Sequence, residues 1–169
     1  MTDWPEPVER VSAFLRAAAV DARIEEFPEG TPTAREAARA IGCELGQIVK
    51  SVVLVCDGAY VLALVPGDRR ADEDAVRAEI GAEQVRVAKP DEVVHATGFE
   101  PGAVAPFPQR AITQTLMDRS FFGHEEVWIG AGTSSHMASL RPAELLKLSG
   151  AKSVDLVTAR VESARPEGA

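Results

Sequence analysis

Three features of this 169-residue chain have residue types and spacing that could do chemistry. The first is Lys50, set among Val49, Val52 and Val53 at the start of the most apolar run. Burying an ammonium is costly unless it finds a partner. Two readings of Lys50 stay open: a sheet-edge lysine with its head in water, or a cation that holds an anion or a carbonyl oxygen. The second is the stretch from Gly98 to Pro108, Gly-Phe-Glu-Pro-Gly-Ala-Val-Ala-Pro-Phe-Pro. Gly102 permits backbone angles closed to other residues, and prolines 101, 106 and 108 stiffen the segment. Exposed N–H groups on such a loop can bind a carbonyl or phosphate oxygen, although a plain connecting loop has the same turn chemistry. The third is Gly130-Ala-Gly-Thr-Ser-Ser-His136, where glycines after a strand let a ligand approach the backbone. It is neither a phosphate-binding Walker loop nor a full dinucleotide fingerprint, because the third glycine is missing.

The usual catalytic sets do not occur. His95, His124 and His136 are scattered, with no His-Glu-x-x-His, and Cys43 and Cys56 lack metal spacing. A zinc site is therefore not expected, and no other metal or cofactor is implied. No Gly-x-Ser-x-Gly elbow exists. Cys56 and Trp128 lie in apolar runs and read as core residues. Asp72-Glu73-Asp74 and Glu125-Glu126 read as solvated turns or helix starts.

Composition bounds the partners. Apolar residues make up 46% and charged residues 26%, the ordinary balance of a folded domain and too apolar for a disordered chain. The formal net charge is -8, which argues against gripping long DNA or RNA through phosphates. A short terminal piece of RNA remains compatible. The longest apolar run, Ala59 to Val65, is far short of the ~20 residues of a membrane-spanning helix. Two cysteines and an acidic, proline-rich start unlike a signal peptide point to the cytoplasm. The expected organisation is one domain over residues 1–169 with its core at 8–150. Residues 1–5 and the tail Ala164–Ala169 are expected to be loose ends.

The elements that must position the three features follow from periodicity. Residues 6–19 carry Val8, Val11, Phe14, Leu15 and Ala18 at helical spacing. Ile24–Phe27 suits a short strand. Thr33 and Glu36 form a capping box for a helix that stops at Gly42. Two β-rich runs, Ile48–Cys56 and Ala59–Val65, flank Asp57-Gly58, a strong hairpin signal. They are continuous rather than alternating, so both faces should be covered. Asp72 caps a helix closed by Gly81, Val85–Ala88 suits a strand, and Pro90 opens a helix ended by Gly98. Ile112–Met117, Val127–Ile129 and Met137–Leu140 read as strands, and Pro142 opens a last helix. The pattern predicts a mixed α/β or α+β fold around a strongly curved mixed sheet.

The ordered set of these pieces resembles the YbaK and prolyl-tRNA-synthetase-associated domain family of aminoacyl-tRNA deacylases. The match covers roughly residues 8 to 150. It runs through Thr33-Ala-Arg-Glu-Ala-Ala-Arg-Ala-Ile-Gly42, the run Gln47-Ile-Val-Lys-Ser-Val-Val-Leu-Val55 with the family lysine at Lys50, Val65-Pro-Gly-Asp68, the loop from Gly98 to Phe107, and Gly130-Ala-Gly132. The resemblance implies a closed, barrel-like mixed sheet flanked by helices. It implies hydrolysis of the ester joining a wrong amino acid to the terminal adenosine of tRNA, with no protein nucleophile or metal, and with a ribose hydroxyl of the substrate helping to activate water. Lys50 would be the catalytic lysine holding a phosphate or carbonyl oxygen. Gly98, Gly102, Ala103, Val104, Pro106 and Phe107 would present the loop to the carbonyl. Gly130, Gly132, Thr133 and His136 would line the terminal-nucleotide side. The implied partners are the aminoacyl-tRNA 3′ end and an aminoacyl-tRNA synthetase as helper, with no DNA and no membrane. Family members often carry Gly-Gly where this chain has Gly102-Ala103, Pro-Phe-Gly where it has Pro106-Phe107-Pro108, and, in an alanine-editing branch, Asn where it has Ser51.

Two other classes fit the bare residues. One is a non-catalytic module that holds a nucleotide, small ligand or protein in the same pocket. The other is a lyase using Lys50 as a Schiff base.

Overall fold

The computed structural model describes residues 3–157, which form five α-helices and eight strands. The expected tail Ala164–Ala169 lies outside the described residues. Helix α1 (Glu6–Ala17) buries Val8, Val11 and Leu15 on one face, with Glu6 and Glu9 in its first turn and Arg16 in its last, signs that suit the helix dipole. Strand β1 (Arg23–Glu26) follows. Helix α2 (Ala34–Ile41) starts where the Thr33 hydroxyl accepts the Glu36 N–H at 3.1 Å and stops at Gly42. Strands β2 (Val49–Cys56) and β3 (Ala59–Pro66) form the expected hairpin, register Val49 opposite Pro66 to Cys56 opposite Ala59.

Helix α3 (Glu73–Ile80) is capped by Asp72, whose carboxylate accepts the Asp74 and Ala75 N–H groups. Strand β4 (Val85–Val87), helix α4 (Pro90–Thr97) and strand β5 (Ile112–Asp118) come next. The chain continues through β6 (Val127–Gly130), β7 (His136–Leu140), α5 (Pro142–Ser149) and β8 (Lys152–Val154). Strand β8 carries no signal of its own in the sequence. It pairs beside β5, Leu116–Asp118 against Lys152–Val154, and Asp118, 2% exposed, accepts the Leu156 N–H at 2.8 Å just past it.

The mixed α/β fold is the expected one, with its strands in two sheets that do not form a closed barrel. The five-stranded sheet has the order β4-β2-β3-β5-β8, and the three-stranded sheet the order β1-β7-β6. The first is mixed, with β2 antiparallel to β3 and β4, and β5 parallel to β3 and β8. The second is antiparallel throughout. A single bridge, Ile48 to Trp128, ties them. Strand β4 covers only Leu54–Cys56 of β2, and β6 of the second sheet approaches the start of that strand.

Strand β3 is apolar along its length because it feeds two cores. Leu62 and Leu64 join Val53, Phe99, Phe107 and Ile129 on one side. Val61, Ala63 and Val65 join Leu54, Val76, Leu116 and Leu156 on the other.

Candidate functional site

A cavity of about 400 Å³ opens where the start of β2 meets α2, the 98–108 loop and the β6–β7 turn. That volume lies within the ~300–1,000 Å³ of small-ligand sites. Each wall has a local cause. Thr31, Thr33, Ala34 and Ala37 bring the capped start of α2 to one side. The small alanines leave the room that larger side chains would take. Ile48 to Val52 supply the floor along β2. Gly102 and Val104 reach in from the loop. Gly130, Thr133, His136 and Met137 close the far side.

Lys50 is half-buried, and its Nζ donates to the Arg69 carbonyl at 2.6 Å. The ammonium thus keeps a backbone partner while lining the cavity, which answers the cost of burying it. Beside it, the Ser51 Oγ is buried with no hydrogen-bond partner among the described residues. Buried hydroxyls are normally paired, so an orphan in a cavity wall marks a place for a guest atom. His136 is 4% exposed; its Nδ1 lies 2.5 Å from the Thr133 hydroxyl and 3.4 Å from that of Ser135. Trp4 meets the imidazole edge to face, with ring centroids 5.4 Å apart. The expected loose end is therefore anchored from Trp4 onward.

Two glycines of the 130–136 turn have a structural reason to be glycine. A Cβ at Gly130 would fall 2.9 Å from the Val104 carbonyl oxygen, so the bare backbone is what lets the 98–108 loop dock. At Gly132, with φ +109°, a Cβ would sit 2.7 Å from the Pro7 carbonyl. The segment ahead of α1 is thereby seated directly on the turn.

The cavity brings together Lys50, Gly102, Val104, Gly130, Thr133 and His136. The remaining residues singled out in the sequence lie behind its walls. Gly98 ends α4, and its carbonyl accepts Arg10 Nη2 at 2.7 Å. Ala103, Pro106 and Phe107 are buried, and Phe107 stacks on Phe14 at 4.8 Å. Gly132 is buried against Pro7. The loop is thus less a rim of free amides than a plug of the main core with two residues reaching the cavity. Thr31, Ala34, Ala37 and Met137 were not foreseen as cavity wall, and Ser51 was marked only as a departure from the family pattern.

Neither cysteine is primed for attack. Burial pushes the thiols of Cys43 and Cys56 upward, helped by Glu126 beside Cys43 and by Asp57 beside Cys56. The thiolate is the nucleophilic form, so this disfavours it. Among the described residues no group of three His, Cys, Asp or Glu side chains could hold a metal ion. No described helix is long and apolar enough to cross a membrane.

Residues 28–148 match the model of the aminoacyl-tRNA editing domain. The chain belongs to the aminoacyl-tRNA editing domain family. The matched residues include the whole cavity wall. The uncharacterized protein YwhH of Bacillus subtilis (strain 168) is 31% identical over 130 residues, 76% of this chain and 82% of that protein. A proline–tRNA ligase of Xanthomonas oryzae pv. oryzae is 30% identical over 136 residues, 79% of this chain. The match spans only 24% of that ligase. Among solved structures, one described as a proposed trans-editing enzyme for prolyl tRNA synthetase has a TM-score of 0.87 and 35% identity, covering 93% of this chain and all of that one. This editing domain therefore shares its fold with a proposed trans-editing enzyme as well as its sequence with a segment of a synthetase.

Proposed function

We propose that the chain is a trans-acting aminoacyl-tRNA deacylase working as one unit in the cytoplasm. It hydrolyses the ester of tRNA mischarged by prolyl-tRNA synthetase. The supporting observation is that Lys50, Gly102, Val104 and the Gly130–His136 turn border one cavity of about 400 Å³. Family membership and the prolyl-synthetase relatives support the substrate class.

In this reading the terminal adenosine lies against the Gly130–Thr133 side and the amino acid against α2 and β2. Lys50 holds a substrate phosphate or the ester carbonyl oxygen. The loop amides near Gly102 and Val104 face the same carbonyl. Water adds to the carbonyl carbon, and the electron pair moves onto the carbonyl oxygen. Its return breaks the bond to the ribose oxygen, which takes up a proton. Free amino acid and deacylated tRNA leave. Positioned donors that meet the developing oxyanion supply the rate, with no nucleophile on the protein. A small cavity turns away bulky side chains, which is how a second sieve adds to a synthetase's own selectivity.

The acceptor strand would cross the rim beside α2. Arg35 and Arg39 stand exposed on its outer face, and Arg70 on the neighbouring turn. The turn and helix touch, since a Cβ on Gly67 would fall 2.9 Å from that of Ala34. With a net charge of -8 this grip is short, and a synthetase partner fits the need for help in delivery.

A panel of mischarged tRNAs tests the reading. Ester loss confined to tRNAs carrying a small wrong amino acid supports it. Unchanged charging across the panel contradicts it and leaves a binding module. A borohydride-trapped adduct on Lys50 would replace it with Schiff-base chemistry.

A further inference from the structure

The two edges of β2 are unequally used. Toward β3 the pairing is continuous from Val49 to Cys56. Toward β4 it covers only Leu54–Cys56, extended by the Ala88 N–H donating to the Val53 carbonyl at 2.9 Å. At the start of the strand Ile48 bridges Trp128. Ser51 lies between these two ends of pairing.

Backbone groups of successive strand residues face opposite edges. The Gly67 N–H donates to the Ile48 carbonyl at 2.9 Å, so even-numbered residues of β2 bond toward β3. The Val53 carbonyl bonds the Ala88 N–H, so odd-numbered residues face the other way. The N–H and C=O of Ser51 consequently face the edge between the end of β4 and the Ile48–Trp128 bridge, where the cavity lies. Its buried Oγ has no partner among the described residues. One residue thus offers a donor, an acceptor and a hydroxyl to a guest.

We infer that Ser51 is a backbone clamp for the aminoacyl group, a role that rests on the deacylase reading above. An aminoacyl ester carries an α-ammonium and a carbonyl oxygen on the same residue. These match the C=O and N–H of Ser51 as a paired strand residue would. The Ser51 carbonyl accepts from the α-ammonium, and the Ser51 N–H donates to the ester carbonyl oxygen. The Oγ takes a second bond from the ammonium. The clamp reads only what all amino acids share, so side-chain selection falls to the α2 wall at Ala34 and Ala37.

The probe is adenosine carrying alanine through a 3′-amide, which resists hydrolysis, titrated into the ¹⁵N-labelled full chain. The clamp predicts that the Ser51 amide resonance moves downfield and its hydrogen exchange slows about tenfold or more. A second probe with hydroxyl in place of the α-ammonium should bind about tenfold more weakly, the scale of a hydrogen bond to a charged group. Shifts at Gly102, Gly130 and His136 without any change at Ser51 would overturn the clamp and leave the deacylase reading intact. Equal binding of the two probes would overturn the ammonium contact. No shift anywhere would overturn both readings.

Discussion

The two ends of β2 belong to one strand yet are finished differently. At Cys56 the strand is paired on both edges, and the Asp57 carboxylate accepts the Glu83 and Gln84 N–H groups at 3.0 and 2.9 Å. Nearby, Arg86 holds Glu92 with two bonds of 2.8 Å. At Ser51 β4 no longer pairs the second edge, and the hydroxyl is buried with no partner among the described residues. The start of the strand carries Lys50 and Ser51, and its end is apolar and buried. The two ends also differ in what packs alongside: a complete ladder at one, and a cavity with a lysine at the other. Hydrogen-bonding capacity spent on the fold secures it, and capacity left unspent in a cavity is available to a ligand.

That contrast can be tested at both ends. The largest effect among these tests is expected from Gly130→Ala, whose Cβ would meet the Val104 carbonyl at 2.9 Å. Displacing the loop should cost about 1–3 kcal/mol of stability and lower deacylation tenfold or more, read by thermal melting and rate assays. Trp4→Ala should come next. Losing the edge-on contact with His136 frees the imidazole and should weaken kcat/KM by about three- to tenfold, the scale of an aromatic pair. Trp4→Phe should recover most of it. An unchanged rate in Trp4→Ala would mean that Thr133 and Ser135 hold the ring without Trp4.

The hairpin end should respond in stability and not in rate. Arg86 and the Lys89 N–H hold Glu92 from its usual 4.5 down to about 2, and two backbone amides hold Asp57 below its usual range. Both folded values are depressed, so their support is present above the unfolded pKa and is lost as pH falls through the folded one. Glu92→Gln should therefore flatten the fall in melting temperature between about pH 4.5 and 2, with deacylation at neutral pH unaltered. A change in deacylation rate there would remove the contrast between the two ends.

Most of the local architecture was legible because its signals are local. Thr33 and Asp72 cap helices, Asp57-Gly58 turns the hairpin, and Gly42, Gly81 and Gly98 stop helices, each within a few residues of its cause. What was not legible depends on packing across the chain. Strand β8 forms by pairing beside β5, and Asp118, 38 residues from the amide it accepts, holds the chain just past it. The 98–108 loop reads as a free turn, yet Phe107 is drawn into the core by Phe14. For the site, Lys50 and the glycine turns stand out by residue type. Ala34, Ala37 and Met137 do not, since small or apolar residues become cavity walls only through what faces them. Ser51 is marked by the resemblance, but nothing in its type or neighbours reveals that β4 stops short of it.

The most direct test is single-turnover deacylation of a tRNA carrying a small wrong amino acid, comparing the natural chain with Lys50→Ala at matched melting temperature. The account predicts a loss of about 100-fold or more, the scale seen when a donor to a developing oxyanion is removed. Equal rates in the two proteins would contradict it.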